Sequence, residues 1–206
     1  MKKFLVLLSA LLLSVQVQAA LVSVTGGGEI LLTALNVQED AETNDHQQGF
    51  NEQQGVLIGG AGVNVDSGSV AAGMRVDSHL IFLNTPSGTP VTDTGSTWVF
   101  SGNIIGVMSD IDGGLMAATD GIFAAFNTYF ADVGGSGFAN QGLEGSFDGY
   151  AFSGNVLKLS MRVTEPGDWI RVITVSAVPV PAALFLFAPA LLGFLGLRRK
   201  VSSTVA

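Results

Sequence analysis

Residues 182–197 are sixteen positions without a charge, and Arg198-Arg199-Lys200 close the run. An element that is apolar all round has no face to turn to water, so it has to leave the folded domain and enter an apolar phase. At 1.5 Å per residue the run makes about 24 Å of helix. That is short of the ~30 Å hydrocarbon core, whereas residues 178–197 reach the usual length of about twenty. Cations behind an apolar run are held on the cytoplasmic side of a bilayer. The pattern therefore predicts a transmembrane helix over 182–197 and a basic stop at 198–200. Pro179, Pro181 and Pro189 are unusual in a plain anchor, and are tolerated only where neighbouring groups satisfy the freed backbone.

The opposite end is apolar too, but shorter. Lys2-Lys3 precede the apolar residues 4–13, and Val17-Gln18-Ala19 has the small-x-Ala form of a cleavage site. This predicts a secretory signal peptide over 1–19, cut between Ala19 and Ala20. The chain has no cysteine, so lipid attachment at a cysteine after the apolar core is excluded. Residues 20–176 are then an exported domain.

The string Val178-Pro179-Val180-Pro181-Ala182, the apolar run and Arg198-Arg199-Lys200 together resemble the PEP-CTERM sorting signal of Gram-negative bacteria. In that family a Pro-x-Pro motif, a membrane helix and a terminal basic cluster follow one another. Val180 stands where the namesake motif has Glu, so the segment 177–206 looks like the Val-Pro-Leu-Pro-Ala-type variant. The resemblance implies recognition by an exosortase after passage through the secretion machinery, with processing near the Pro-x-Pro. It implies a membrane-held precursor, then delivery to the cell surface or extracellular matrix among exopolysaccharide. Val76-Asp77-Ser78-His79-Leu80-Ile81-Phe82 and Pro166-Gly167-Asp168-Trp169-Ile170-Arg171-Val172 are similar to the extracellular part of other PEP-CTERM proteins, and carry no activity with them.

Setting the ends aside sharpens the charge argument. Four basic and all seventeen acidic residues fall within 20–176, a net charge of −13 against −8 for the whole chain. So negative a domain repels phosphate backbones, which makes nucleic acid a poor candidate partner, and none is expected. It suits solubility outside the cell, cations, or extracellular polysaccharide. Without disulfides the fold rests on its own core, and 157 residues suffice for one domain.

Short Val/Ile/Leu/Phe runs alternate with Gly, Asn, Asp and Ser clusters, the mark of a mainly β chain. Residues 156–163 place Leu157, Leu159, Met161 and Val163 on one face and Lys158, Ser160 and Arg162 on the other, a half-buried strand. Glu165-Pro166-Gly167-Asp168 reads as a turn, so 169–175 is predicted to return as the second strand of a hairpin. Further strands are expected at 30–37, 63–65, 74–83, 97–100 and 104–108. Leu115, Ala118, Ile122, Phe126 and Phe130 recur at helical spacing, and the acidic stretch 38–54 reads as a loop. The fold class that fits is an antiparallel β-sandwich or jelly roll with one short helical excursion.

Four constellations could carry chemistry. Asp93-Thr94-Gly95-Ser96 resembles the active-site motif of aspartic proteases, which would make the protein a secreted hydrolase. That mechanism needs two carboxylates sharing a proton, and no second copy of the motif exists. The turn-like Thr89-Pro90-Val91-Thr92 before it points instead to a surface turn. Asp110 and Asp112, with Gly113-Gly114 and Asp120, offer a weak Ca²⁺ loop whose remaining oxygen ligands are missing; an Asp-Gly turn accounts for them more simply. His46 and His79 have no metal-ligand spacing, so no metal or other cofactor is expected. Trp169 and Arg171, alternate residues of one strand, could form a carbohydrate-binding platform, the ring stacking while the guanidinium bonds hydroxyls; the competing reading buries Trp169 in the core. The catalytic set being incomplete, the sequence points to a non-catalytic exported protein. The mature protein should begin at Ala20 or Leu21, which N-terminal sequencing of surface-extracted protein checks; a sequence starting at Met1 would contradict the leader.

Overall fold

Why two strands of similar apolar content end up in different sheets explains most of this architecture. The computed structural model describes residues 20–38, 43–85, 89–126, 128, 130, 141–145, 147–164 and 167–176. The predicted signal peptide, the sorting motif, the transmembrane segment 182–197 and the basic stop lie outside them. Among the described residues no helix is long and apolar enough to cross a membrane.

In chain order the strands are β1 (Leu21–Thr25), β2 (Glu29–Ile30), β3 (Gln48–Asn51), β4 (Val56–Leu57), β5 (Val63–Val65) and β6 (Gly68–Val70). Then come β7 (Arg75–Leu83), β8 (Val91–Phe100), β9 (Ile104–Met108), the helix α1 (Gly114–Phe123), β10 (Gly149–Ser153), β11 (Val156–Val163) and β12 (Asp168–Val175). One sheet has the order β1-β8-β11-β10 and is antiparallel throughout. A second runs β2-β3-β7-β12-β9, with β4 also on β7; its β2–β3 pair is parallel, so this sheet is mixed. β5 and β6 form a separate hairpin.

β11 alternates as predicted, with Leu157, Leu159, Met161 and Val163 buried and Lys158 and Arg162 exposed. The predicted β11–β12 hairpin is not formed. β11 pairs with β8 and β10, and β12 with β7 and β9, so the link around Gly167 crosses between sheets. The faces explain this. β11 has a polar face, which must meet water. β12 is buried from Asp168 to Thr174 on both faces, so it needs a sheet covered on both sides. Its Ile170 and Val172 join Ile81 and Leu83 of β7 against Trp98, Leu157, Leu159 and Met161 of the four-stranded sheet. Its Trp169 and Ile173 join Phe50, Leu80 and Phe82 under Met116 and Phe123 of α1 and Val63, Val65 and Val70 of the hairpin.

Other expectations need correction. Within 30–37 only Ile30 is in a strand, though Val37 is fully buried. The stretch 38–54 contains β3, whose Phe50 is fully buried, flanked by buried Gln47 and Glu52. Polarity misled there, because these two polar side chains are buried with partners. The helical pattern reaches only to Phe123, and Phe126 beyond it is exposed.

Trp98 locks the sheets together. Its ring lies against β3, where a Cβ on Gly49 would come within 2.9 Å of it. Its Nε1–H donates to Gln47 Oε1 at 2.9 Å. Replacing Gly49 by Ala should therefore overpack this contact and lower stability by roughly 2 kcal/mol, measured as a shift of the denaturant midpoint; an unchanged midpoint would show that the ring has room to move.

Candidate functional site

Asp93 is the first residue to place. The surface turn expected there is absent: Asp93 lies within the ten-residue β8 and is 7 % exposed. Thr94 faces Ser160 and Ser96 faces Leu159, so Gly95 is an extra residue, a bulge. Gly95 has φ +85°, which glycine alone adopts freely. The bulge turns Asp93 inward. Its Oδ2 accepts the Gln47 backbone N–H at 2.7 Å and its Oδ1 accepts the Ser96 hydroxyl at 2.9 Å. Gln47 Nε2 in turn donates to the carbonyls of Asp93 and Leu159, both at 3.1 Å. Both carboxylate oxygens therefore serve a brace between β8, β11 and the start of β3, an arrangement unlike a water-activating dyad.

Trp169 and Arg171 are fully buried, so they form no surface on which a sugar could stack. Trp169 packs edge-on to Phe130, centroids 5.5 Å apart, and its Nε1–H donates to Asn84 Oδ1. Arg171 grips Glu52 with two bonds of 2.7 Å, Nε to Oε2 and Nη2 to Oε1, both side chains without exposure. Nη1 donates to the Met116 carbonyl and Thr119 Oγ1, and Nη2 also reaches Asp120 Oδ1, each at 3.3 Å. Burial raises the Glu52 carboxyl despite the opposing guanidinium; burial also works against the Arg171 charge, but Glu52 and Asp120 together outweigh it and raise its pKa. The guanidinium binds helix to sheet.

Asp110 and Asp112 do not converge. Asp110 accepts the Leu115 N–H at the start of α1, at 3.3 and 3.2 Å from its two oxygens, while Asp112 is exposed in a turn before left-handed Gly113. Among the described residues no group of three His, Cys, Asp or Glu could hold a metal ion. His79 is buried between the sheets; Nδ1 lies 2.7 Å from Asn51 Oδ1 and Nε2 lies 3.1 Å from Thr174 Oγ1, and burial pulls its pKa down to about 3. It is a neutral structural imidazole. His46 is a surface residue between Asp45 and Glu29, whose carboxylates raise its pKa.

What the four-stranded sheet shows to solvent is different in kind. On β10, Gly149 and Ala151 project little from the outer face, and beside them Lys158 and Ser160 of β11 line a shallow concavity of about 350 Å³. Phe147, 58 % exposed, forms its wall, and the Arg162 guanidinium lies over that ring at 4.4 Å from the centroid. Asp148 Oδ1 accepts the Arg162 backbone N–H at 2.6 Å, which fixes the segment carrying Phe147 to β11. Thr97, Thr94 and Thr92 of β8 sit opposite Lys158, Ser160 and Arg162 and share their face. An aromatic ring, two cations and a row of hydroxyls thus occur together on the surface. The sequence carried one signal for it: two of the domain's four basic residues lie on the polar face of one strand.

Behind this surface lies a buried carboxyl. Asp168, 1 % exposed, has its pKa pushed up to about 9 by burial and then by Asp148 and Glu144, and its Oδ2 has no hydrogen-bond partner. No family model, curated protein or solved structure matches the chain.

Asp168 gives a pH prediction. Its folded pKa lies above the unfolded value of about 3.9, so its stabilising contribution is complete below that value and is lost as pH rises toward 9. Asp168→Asn should flatten this part of the profile and raise stability at pH 8 by at least about 1 kcal/mol. Denaturant midpoints against pH for both proteins test it; parallel profiles would contradict it.

Proposed function

We propose that the protein is an exported, non-catalytic component of the cell surface or extracellular matrix, sorted by an exosortase-type system and associated with exopolysaccharide. The observation that carries this reading is the order of parts in the sequence: a cleavable leader, a β-rich domain, Val178-Pro179-Val180-Pro181-Ala182, an apolar run and Arg198-Arg199-Lys200. The membrane helix holds the precursor until processing.

The domain supports a binding or structural role in two ways. The groups that suggested chemistry are engaged elsewhere: Asp93 in a brace, Arg171 with Glu52, Asp110 at a helix start. A β-face on which Gly149 and Ala151 lie beside Lys158, Ser160 and the threonines of β8 also suits contact with an extended polymer. The scaffold we propose is a β-sandwich. Its order favours this over a jelly roll, since β1 pairs with β8 while β12, the last strand, lies in the other sheet.

Deleting residues 179–200 should release a folded domain into the medium, and reversing Arg198, Arg199 and Lys200 to Glu should impair retention without unfolding it. Fractionation of cells producing each variant tests this. Retention of both with membranes, as for the parent, would overturn the sorting reading.

A further inference from the structure

An acidic domain that leaves positive charge unpaired has a reason to seek an anion elsewhere. Among the described residues, Arg171 is buried against Glu52 and the Arg75 guanidinium donates to the Gly55 carbonyl. Lys158 and Arg162 remain, both exposed, and neither forms an ion pair with any described residue. The chain holds seventeen acidic side chains, and none of the described ones pairs with these two cations. Asp148, which lines the same concavity, accepts the backbone N–H of Arg162 and feels its charge without forming an ion pair with it.

From Lys158, Ser160 and Arg162, with Phe147 and the threonines of β8, we infer that the outer face of β8, β11 and β10 is a binding site for a carboxylate-bearing polysaccharide. The spacing suits an extended ligand. Lys158 and Arg162 are four residues apart on one strand, about 14 Å between Cα atoms at 3.4 Å per residue, a span that suits separate acidic groups. A ligand that reaches both is a chain with repeated acidic groups. Between the cations lie hydroxyls. Ser160 Oγ accepts the Gly95 N–H and keeps its own O–H to donate, and Thr92, Thr94 and Thr97 flank the line, suiting a ligand that carries hydroxyls. Arg162 stacked on Phe147 keeps its in-plane N–H donors available, and the exposed ring offers an apolar surface to a pyranose face. A uronic-acid polymer has all three complementary features. An acidic peptide has the charge but lacks the regular hydroxyls. Gly149 and Ala151 add little bulk to the floor of the concavity, which leaves room for a polymer chain.

This inference deepens the reading of the protein as an exopolysaccharide-associated component and rests on it for its biological setting. The test uses the full chain, purified in non-ionic detergent, with three probes: oligogalacturonate, the same oligomer after carboxyl reduction, and poly-glutamate of equal charge. The expected result is saturable oligogalacturonate binding that weakens with salt and falls at least tenfold in Lys158→Ala and in Arg162→Gln. Carboxyl reduction should cost a similar factor, and poly-glutamate should bind at least tenfold more weakly. Phe147→Ala should weaken oligogalacturonate binding while leaving poly-glutamate binding unchanged. Both cations are exposed, so these variants should keep the parental circular-dichroism spectrum and melting temperature. No oligogalacturonate binding, binding indifferent to both substitutions, equal binding of the reduced oligomer, or tighter binding of poly-glutamate would each overturn the inference. Correct surface delivery without uronate binding would remove the site and leave sorting intact; uronate binding by a chain that is never exported would do the reverse.

Discussion

A guanidinium and a carboxylate held together away from water set the terms for the described domain. Arg171 and Glu52 are both fully enclosed and joined by two short bonds. Desolvating two such ions costs several kcal/mol each unless geometry and further hydrogen bonds offset it. The remaining donors are therefore not free to wander. They fix the Met116 carbonyl, Thr119 and Asp120, which places α1 over the mixed sheet. Phe123 and Phe130, 6.0 and 5.6 Å from the guanidinium, exclude water around it. The segment before β4 follows: Glu52 and Gln53 exchange backbone bonds with Ser78 of β7, and Ser78 Oγ donates to the Phe123 carbonyl at the helix end.

The second interior is organised by a hydrogen-bond network around Gln47. Gln47 accepts from Trp98, donates to Asp93 and Leu159 carbonyls, and offers its own N–H to the Asp93 carboxylate. One residue before β3 thereby ties together strands of both sheets. With their central groups occupied in this way, the interiors act as support, and the outer face around Lys158 and Arg162 is open to solvent. The mixed sheet, covered on both faces at β12, packs behind the four-stranded one.

How much of this could be read in the sequence depended on whether one strand decides a feature by itself. β11 was legible because its apolar and polar faces alternate within eight residues. The partner of β12 was not, because pairing depends on what covers the second face of a strand, and adjacency in the chain suggested β11. Glu52 and Gln47 read as solvated loop residues because their partners lie 119 and 46 to 112 positions away. Asp93 read as a turn residue because a Gly95 bulge and a turn share the same residue types. Trp169 and Arg171 had the right chemistry for stacking, but burial removes them from any ligand. Phe147 lies in no periodic run, and only the fold brings it under Arg162.

The buried ion pair is best tested by a double-mutant cycle on Glu52 and Arg171, followed by equilibrium unfolding. Arg171→Met strands the buried Glu52 and should cost about 3–5 kcal/mol; Glu52→Leu leaves Arg171 only the partly exposed Asp120 at 3.3 Å and should cost somewhat less. The double variant should recover most of that loss, because neither orphan remains. Single variants close to the parent in stability, or a double variant as unstable as the sum of the two, would contradict the organising role of this pair.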